Sequence, residues 1–92
     1  MGIPFAFKDL GVSMAGTITT NGCRFFKDNV ATENSTLVNR YESLGVNVLA
    51  KLTSPEFGQT ASGESTLHGN TLNPWDTRYS SGGSSSGSAV AV

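Results

Sequence analysis

The sequence predicts an α/β fold, and three observations carry that expectation. A helical stretch, "NSTLVNRYESLG", runs through one glycine straight into an apolar strand, "VNVLAKLT". A helix and strand joined without a loop pack as layers, with the helix laid over a sheet. An earlier segment, "IPFAFKD", places Ile3, Phe5 and Phe7 on one face with the two-residue period of a strand. Charged residues make up only 14% of the 92 residues, against roughly 25% in ordinary globular chains. A short chain has much surface for its volume, and such low charge implies that part of that surface is meant to be covered. The expected unit is therefore α/β and incomplete as a domain.

Each element has a local reason. In the first strand Pro4 stands near the start, where its missing N–H does least harm. "LGVSMAGTITTNG" reads as a glycine-punctuated loop with a second short strand over Thr17–Thr20. The helix begins at Asn34 or Ser35, either of which can cap an orphan backbone N–H through its side chain. Leu37, Val38, Tyr41 and Leu44 follow at i, i+1, i+4 and i+7, forming one buried stripe. Gly45 ends the helix because it tolerates the left-handed conformation after the last turn. Val46, Val48 and Ala50 then share a face of the second, buried strand. "SPEFG" predicts a short helix, with Ser54 as cap and Pro55 at the first helical position. From Gln59 to Ser88 there is little periodicity, and a loop that long in a compact unit usually carries function.

Composition excludes several classes. A formal net charge of −1 favours neither nucleic acid nor an anionic membrane. One cysteine, Cys23, allows no internal disulfide, and with the single histidine, His68, no His/Cys zinc cluster. No apolar run is long enough to span a bilayer. "MGIPFAFKDLG" lacks the basic-then-apolar order of a secretory signal, and Ala6 stands where N-myristoylation needs Ser or Thr. These features favour a cytoplasmic location.

The run "SSGGSSSGS" has the composition of a flexible linker, yet the apolar "AVAV" follows it at once. A glycine-rich loop entering a helix can bind phosphate. Here neither Lys nor Arg lies in the run, so the P-loop pattern is absent. "NPWDTRY" is not the buried strand that a dinucleotide fingerprint requires. The run fits G-x-S-x-G only formally, over Gly83 to Gly87, with no histidine base placed convincingly for it, and no serine stands three residues before a lysine. Activation of a serine here needs a lysine from elsewhere in the sequence. Lys8, at the end of an apolar strand and followed by Asp9, has two readings. It is either a desolvated, neutral base or a strand-end lysine paired with a surface acid. His68 likewise reads as a site residue or as ordinary packing.

Three stretches taken together, "GIPFAFKD", "LAKLTSPEFG" and "GNTLNPWDTRYSSGGSSSGSAVAV", resemble consecutive blocks of the amidase signature family. The resemblance covers residues 1–92, read as a partial amidase signature domain. Ser81 stands where that family often has proline, and Ser86 where glycine is common. The resemblance implies a mixed β-sheet core flanked by helices, and a buried helix of small residues starting near Ser88. It implies Lys8 as a neutral general base and Ser84 as a proton-relaying serine held by a cis peptide bond. Gly82, Gly83 and Ser85 would support them, with Ser86 in a similar backbone-positioning role. The family's nucleophilic serine and oxyanion hole lie in a later T-D-x-G-G-S-type block, which this chain, ending at Val92, does not contain.

The function so implied is hydrolysis of carbon–nitrogen amide bonds other than peptide bonds, through an acyl-enzyme and a Ser–cisSer–Lys triad. No metal or organic cofactor is implied. The partners would be a small-molecule amide and a second copy or amidotransferase subunits, with no nucleic acid or membrane. The alternatives are the amidase subunit of a glutamine-dependent tRNA amidotransferase and an inactive truncated paralogue. The 92-residue chain alone is expected to show no hydrolase activity. A serine-directed phosphonate probe should leave it unlabelled, and stoichiometric labelling of Ser84 in a peptide digest would contradict that.

Overall fold

Strand β1 (Pro4–Lys8) and strand β2 (Asn47–Leu52) pair in parallel in the computed structural model, which describes residues 2–92. Between them lie a long irregular segment and helix α1 (Thr36–Ser43), so the first half of the chain forms a β–α–β unit. Helix α2 (Ser86–Ala91) closes the chain after a second irregular stretch. The expected α/β class holds, and the portion of sheet that these residues build is parallel.

The register assigns the two faces of the sheet. Ala6 pairs with Ala50, Phe7 with Lys51 and Lys8 with Leu52, after an irregularity between Phe5 and Ala6. Successive side chains in a strand point to opposite faces. Phe5 and Phe7 therefore face α1, where Tyr41 stacks on Phe5 with centroids 4.5 Å apart and meets Phe7 edge-on at 5.6 Å. Lys8 and Leu52 face the other way, toward α2. The result is three layers: α1, the sheet and α2.

Helix α1 ends as expected. Gly45 has φ +76°, and its N–H donates to the Glu42 carbonyl at 2.9 Å. Its start departs from expectation. Ser35 holds the N-cap position, but its hydroxyl makes no capping bond and is buried without a partner. Asn34 is engaged elsewhere: its side-chain carbonyl accepts the Ala15 N–H at 2.7 Å, and its amide donates to Asn39 and Glu42. The apolar stripe is also narrower than its spacing predicts. Val38 is fully buried, whereas Leu37 is 47% and Leu44 68% exposed.

Three further expectations need correcting. Residues Thr17–Thr20 form no strand; Ile18 makes a single antiparallel bridge to Val30. Gly16 before it and Asn21 and Gly22 after it have positive φ, which limits the extended run. "SPEFG" forms a 3-10 turn over Glu56–Gly58, with Phe57 at φ +50°, and Pro55 rather than Ser54 holds the N-cap. The Ser54 hydroxyl donates instead to the Pro55 carbonyl. Strand β2 is not buried throughout: Leu49, at the irregularity, and Ala50 are exposed. They line an apolar depression of about 450 Å³ with Pro4, Ala6, Ala91 and Val92.

Helix α2 begins at Ser86, two residues earlier than expected, and only Ser86 and Gly87 are buried. Its first turn is pressed onto the end of β2. The Gly87 N–H and the Ser86 hydroxyl both donate to the Thr53 carbonyl, at 3.1 and 3.2 Å. A Cβ on Gly87 would lie 2.5 Å from the Thr53 nitrogen and 2.8 Å from its hydroxyl. The preceding loop is organised by local bonds, as in the bidentate pairing of Arg78 with Asp76 at 2.6 and 2.9 Å. The Arg78 side chain, and then its backbone N–H, hold the half-buried Asp76 carboxyl below its ordinary value.

Gly87→Val should therefore lift α2 from β2 and cost about 1–3 kcal/mol, as overpacking does. The urea midpoint of the full-length protein checks this. A midpoint equal to that of the parent would contradict the close approach.

Candidate active site

Lys8 ends β1 and Ser84 ends the loop before α2. The fold brings these residues, 76 positions apart, to a hydrogen bond: the Lys8 Nζ donates to the Ser84 Oγ at 2.7 Å. A second bond reaches the Ser85 Oγ at 3.2 Å. Lys8 and Ser84 are half-buried and Ser85 is exposed. Ser85 occupies the N-cap of α2, where a serine side chain ordinarily accepts a backbone N–H of the first turn. It makes no such bond here; its oxygen accepts from Lys8 instead.

The glycines expected to support the site have distinct jobs. Gly82 takes φ +76°, a conformation open to glycine at little cost, and its N–H donates to the Ser80 hydroxyl at 3.1 Å. Gly83 lies so close to the backbone of Ser62 that a Cβ would collide with the Ser62 carbonyl. The Gly83–Ser84 peptide is cis. Gly58, the last residue of the "LAKLTSPEFG" block but given no role there, approaches from the 3-10 turn. At φ +65°, a Cβ there would stand 3.5 Å from the Ser84 hydroxyl.

Of the two readings of Lys8, the acid pairing does not occur with Asp9. The Asp9 carboxylate lies on the opposite face and pairs with Lys51 at 3.1 Å. It also accepts the Thr20 N–H, at 3.0 and 3.2 Å to its two oxygens, and the Thr20 hydroxyl. Lys51 donates further to the Val12 carbonyl and the Thr19 hydroxyl, both at 2.9 Å. The motif blocks contain Asp9 and Lys51 but give neither a role in such a network. What could have pointed to it is the Lys8–Asp9 pair at a strand end, since the pleat sends neighbours to opposite faces and leaves Asp9 needing its own cation. His68 is exposed and lines a depression beside Asp9 and Lys51, not the Lys8–Ser84 contact.

A lysine amine touching one serine hydroxyl, with a second hydroxyl beside it, can move a proton along a short hydroxyl path. Comparison with known proteins supplies the family. The Amidase family model matches residues 1–92, and the chain belongs to that family. It is 37% identical over 92 residues to a lipoamidase of Enterococcus faecalis, covering 100% of this chain and 13% of that protein. It is 42% identical over 91 residues to a glutamyl-tRNA(Gln) amidotransferase subunit of Symbiobacterium thermophilum, covering 99% of this chain and 18% of the relative. Among solved structures, it matches 6-aminohexanoate cyclic dimer hydrolase complexed with substrate at TM-score 0.93 and 36% identity. That match covers 98% of this chain and 19% of the other. The chain thus spans less than a fifth of the length of each of these relatives. Among the described residues, no helix is long and apolar enough to cross a membrane.

Asp9→Ala would leave the largely covered Lys51 ammonium without its acid. Breaking such a pair should cost about 3–5 kcal/mol, measured as the unfolding free energy of the full-length protein. A loss within about 0.5 kcal/mol, typical of exposed positions, would deny the pair a structural role.

Proposed function

We propose that these residues form part of an amidase signature domain that hydrolyses a carbon–nitrogen amide bond through an acyl-enzyme, with Lys8 as base and Ser84 as proton relay. One observation carries the reading: the 2.7 Å contact between the Lys8 Nζ and the Ser84 Oγ. In the proposed sequence, a nucleophilic serine contributed from outside these residues attacks the amide carbonyl. Its proton passes to the Ser84 oxygen as the Ser84 proton passes to the unprotonated Lys8 amine. Collapse of the tetrahedral adduct breaks the C–N bond, and the proton returns through Ser84 to the departing amine. Water then enters by the same route, adds to the acyl ester and releases the acid. Ser85 supports the step by accepting an N–H of Lys8; in the unprotonated form the 2.7 Å contact is reversed, with the Ser84 O–H donating to the amine lone pair. The proposed substrate is a small-molecule amide.

A second reading is favoured by the 42% identity to the amidotransferase relative. In it the same residues release ammonia from glutamine, in company with partner subunits. Assaying ammonia release from glutamine against release of amines from simple alkyl and aryl amides separates the two.

In the full-length enzyme, Lys8→Ala and Ser84→Ala should each lower kcat by about 10²–10⁴-fold, the range for a lost general acid–base group, with KM little changed. Ser85→Ala should lower kcat less than either. Turnover of Lys8→Ala at the parental rate would remove the base from the mechanism.

A further inference from the structure

We infer that Lys51 is a positioning residue for Lys8, acting through Asp9: it binds the neighbouring carboxylate on the far face of the sheet and cancels its charge. This inference rests on Lys8 serving as the base.

The geometry is specific. Phe7 and Lys51 are register partners, as are Lys8 and Leu52, so Asp9 and Lys51 share one face and Lys8 points to the other. A lysine ammonium has three donors, and those of Lys51 have three partners: the Asp9 carboxylate, the Val12 carbonyl and the Thr19 hydroxyl. The side chain is only 14% exposed and that of Asp9 9%, so the cation is held in one place and little screened by water. The Asp9 N–H is tied to the Leu52 carbonyl at 2.8 Å, which fixes the end of the strand that carries Lys8.

The charge logic follows. A carboxylate one residue away favours the protonated form of a lysine, and a base must spend time unprotonated. With Lys51 in place, the Asp9–Lys51 pair presents no net charge to Lys8. Other charged or titratable groups near this network include Lys27 and His68, which line the same depression as Asp9 and Lys51, and Tyr41, whose ring lies against Phe5 and Phe7. On the Lys8 side, the groups in contact with its amine are the uncharged hydroxyls of Ser84 and Ser85. Lys51 is therefore the cation placed to offset Asp9.

The test is the pH profile of kcat/KM in the full-length enzyme for Lys51→Met, Asp9→Asn and the double variant. Lys51→Met, with a bare Asp9, should move the acid limb about one pH unit upward, a tenfold loss on that limb. Asp9→Asn, with a bare Lys51, should move it downward, and the double variant should return it close to the parental position. Loss of structure alone would lower the profile without moving its limb in opposite directions. Identical limbs in all variants would overturn the inference. Where Lys51→Met fails to fold, Asp9→Asn decides alone, and the absence of a downward shift overturns it. Lys8→Ala and Ser84→Ala serve as controls: if they retain parental turnover, the proposed function fails. The effect of Lys51 on the Lys8 amine is read separately, from the pH dependence of Lys8 acylation by acetic anhydride in the parent and in Lys51→Met, followed by peptide mass spectrometry; an unshifted dependence overturns it.

Discussion

The Thr53 carbonyl, just past the end of β2, accepts both the Gly87 N–H and the Ser86 hydroxyl, and the placement of the serines depends on that docking. The first turn of a helix presents backbone N–H groups with no partner inside the helix. Here one of them is satisfied by the sheet. Glycine at position 87 is what allows the approach, since the space where a Cβ would stand is filled by Thr53. Ser84 and Ser85 immediately precede this turn. Once α2 is seated, they lie beside the end of β1, where Lys8 emerges.

The pleat of β1 does the second part of the work. Lys8 and Asp9 are adjacent in sequence and would form an ordinary surface pair if the chain were irregular there. In a strand they diverge to opposite faces. Asp9 enters a buried set of donors with Lys51 and Thr20, while Lys8 meets only hydroxyls. A buried carboxylate turned away from its neighbouring lysine requires compensation on its own face. Lys51 supplies it from the adjacent strand, which is why β2 matters to a residue on β1 that it does not touch through its amine.

Much of this was legible before the fold was known, and the misses have physical causes. The helix, its terminal Gly45 and both long strands follow from apolar spacing, because periodicity reports which face a segment must bury. The motif blocks pointed to Lys8, Ser84 and the Gly82–Gly83 pair. Capping by Ser35 was misjudged because a residue type suited to a cap says nothing of where its hydroxyl turns. Leu37, Leu44 and Ala50 were expected to be buried, yet apolar spacing identifies a face but not what lies against it. "SPEFG" satisfied the rule for a helix start, yet Phe57 turned left-handed and Gly58 came to lie beside Ser84.

The sequence by itself determined the α/β class, the end of α1 at Gly45 and the residue types of the site, since local conformational preference and apolar period act over a few positions. Only the tertiary structure decided which partner each charged group took. Lys8 could have met Asp9, one residue away, but meets Ser84, 76 residues away; Asp9 meets Lys51 instead. That choice depends on strand register, on the face to which each side chain is sent and on how closely α2 can approach β2. These are long-range steric and electrostatic conditions that no local pattern encodes.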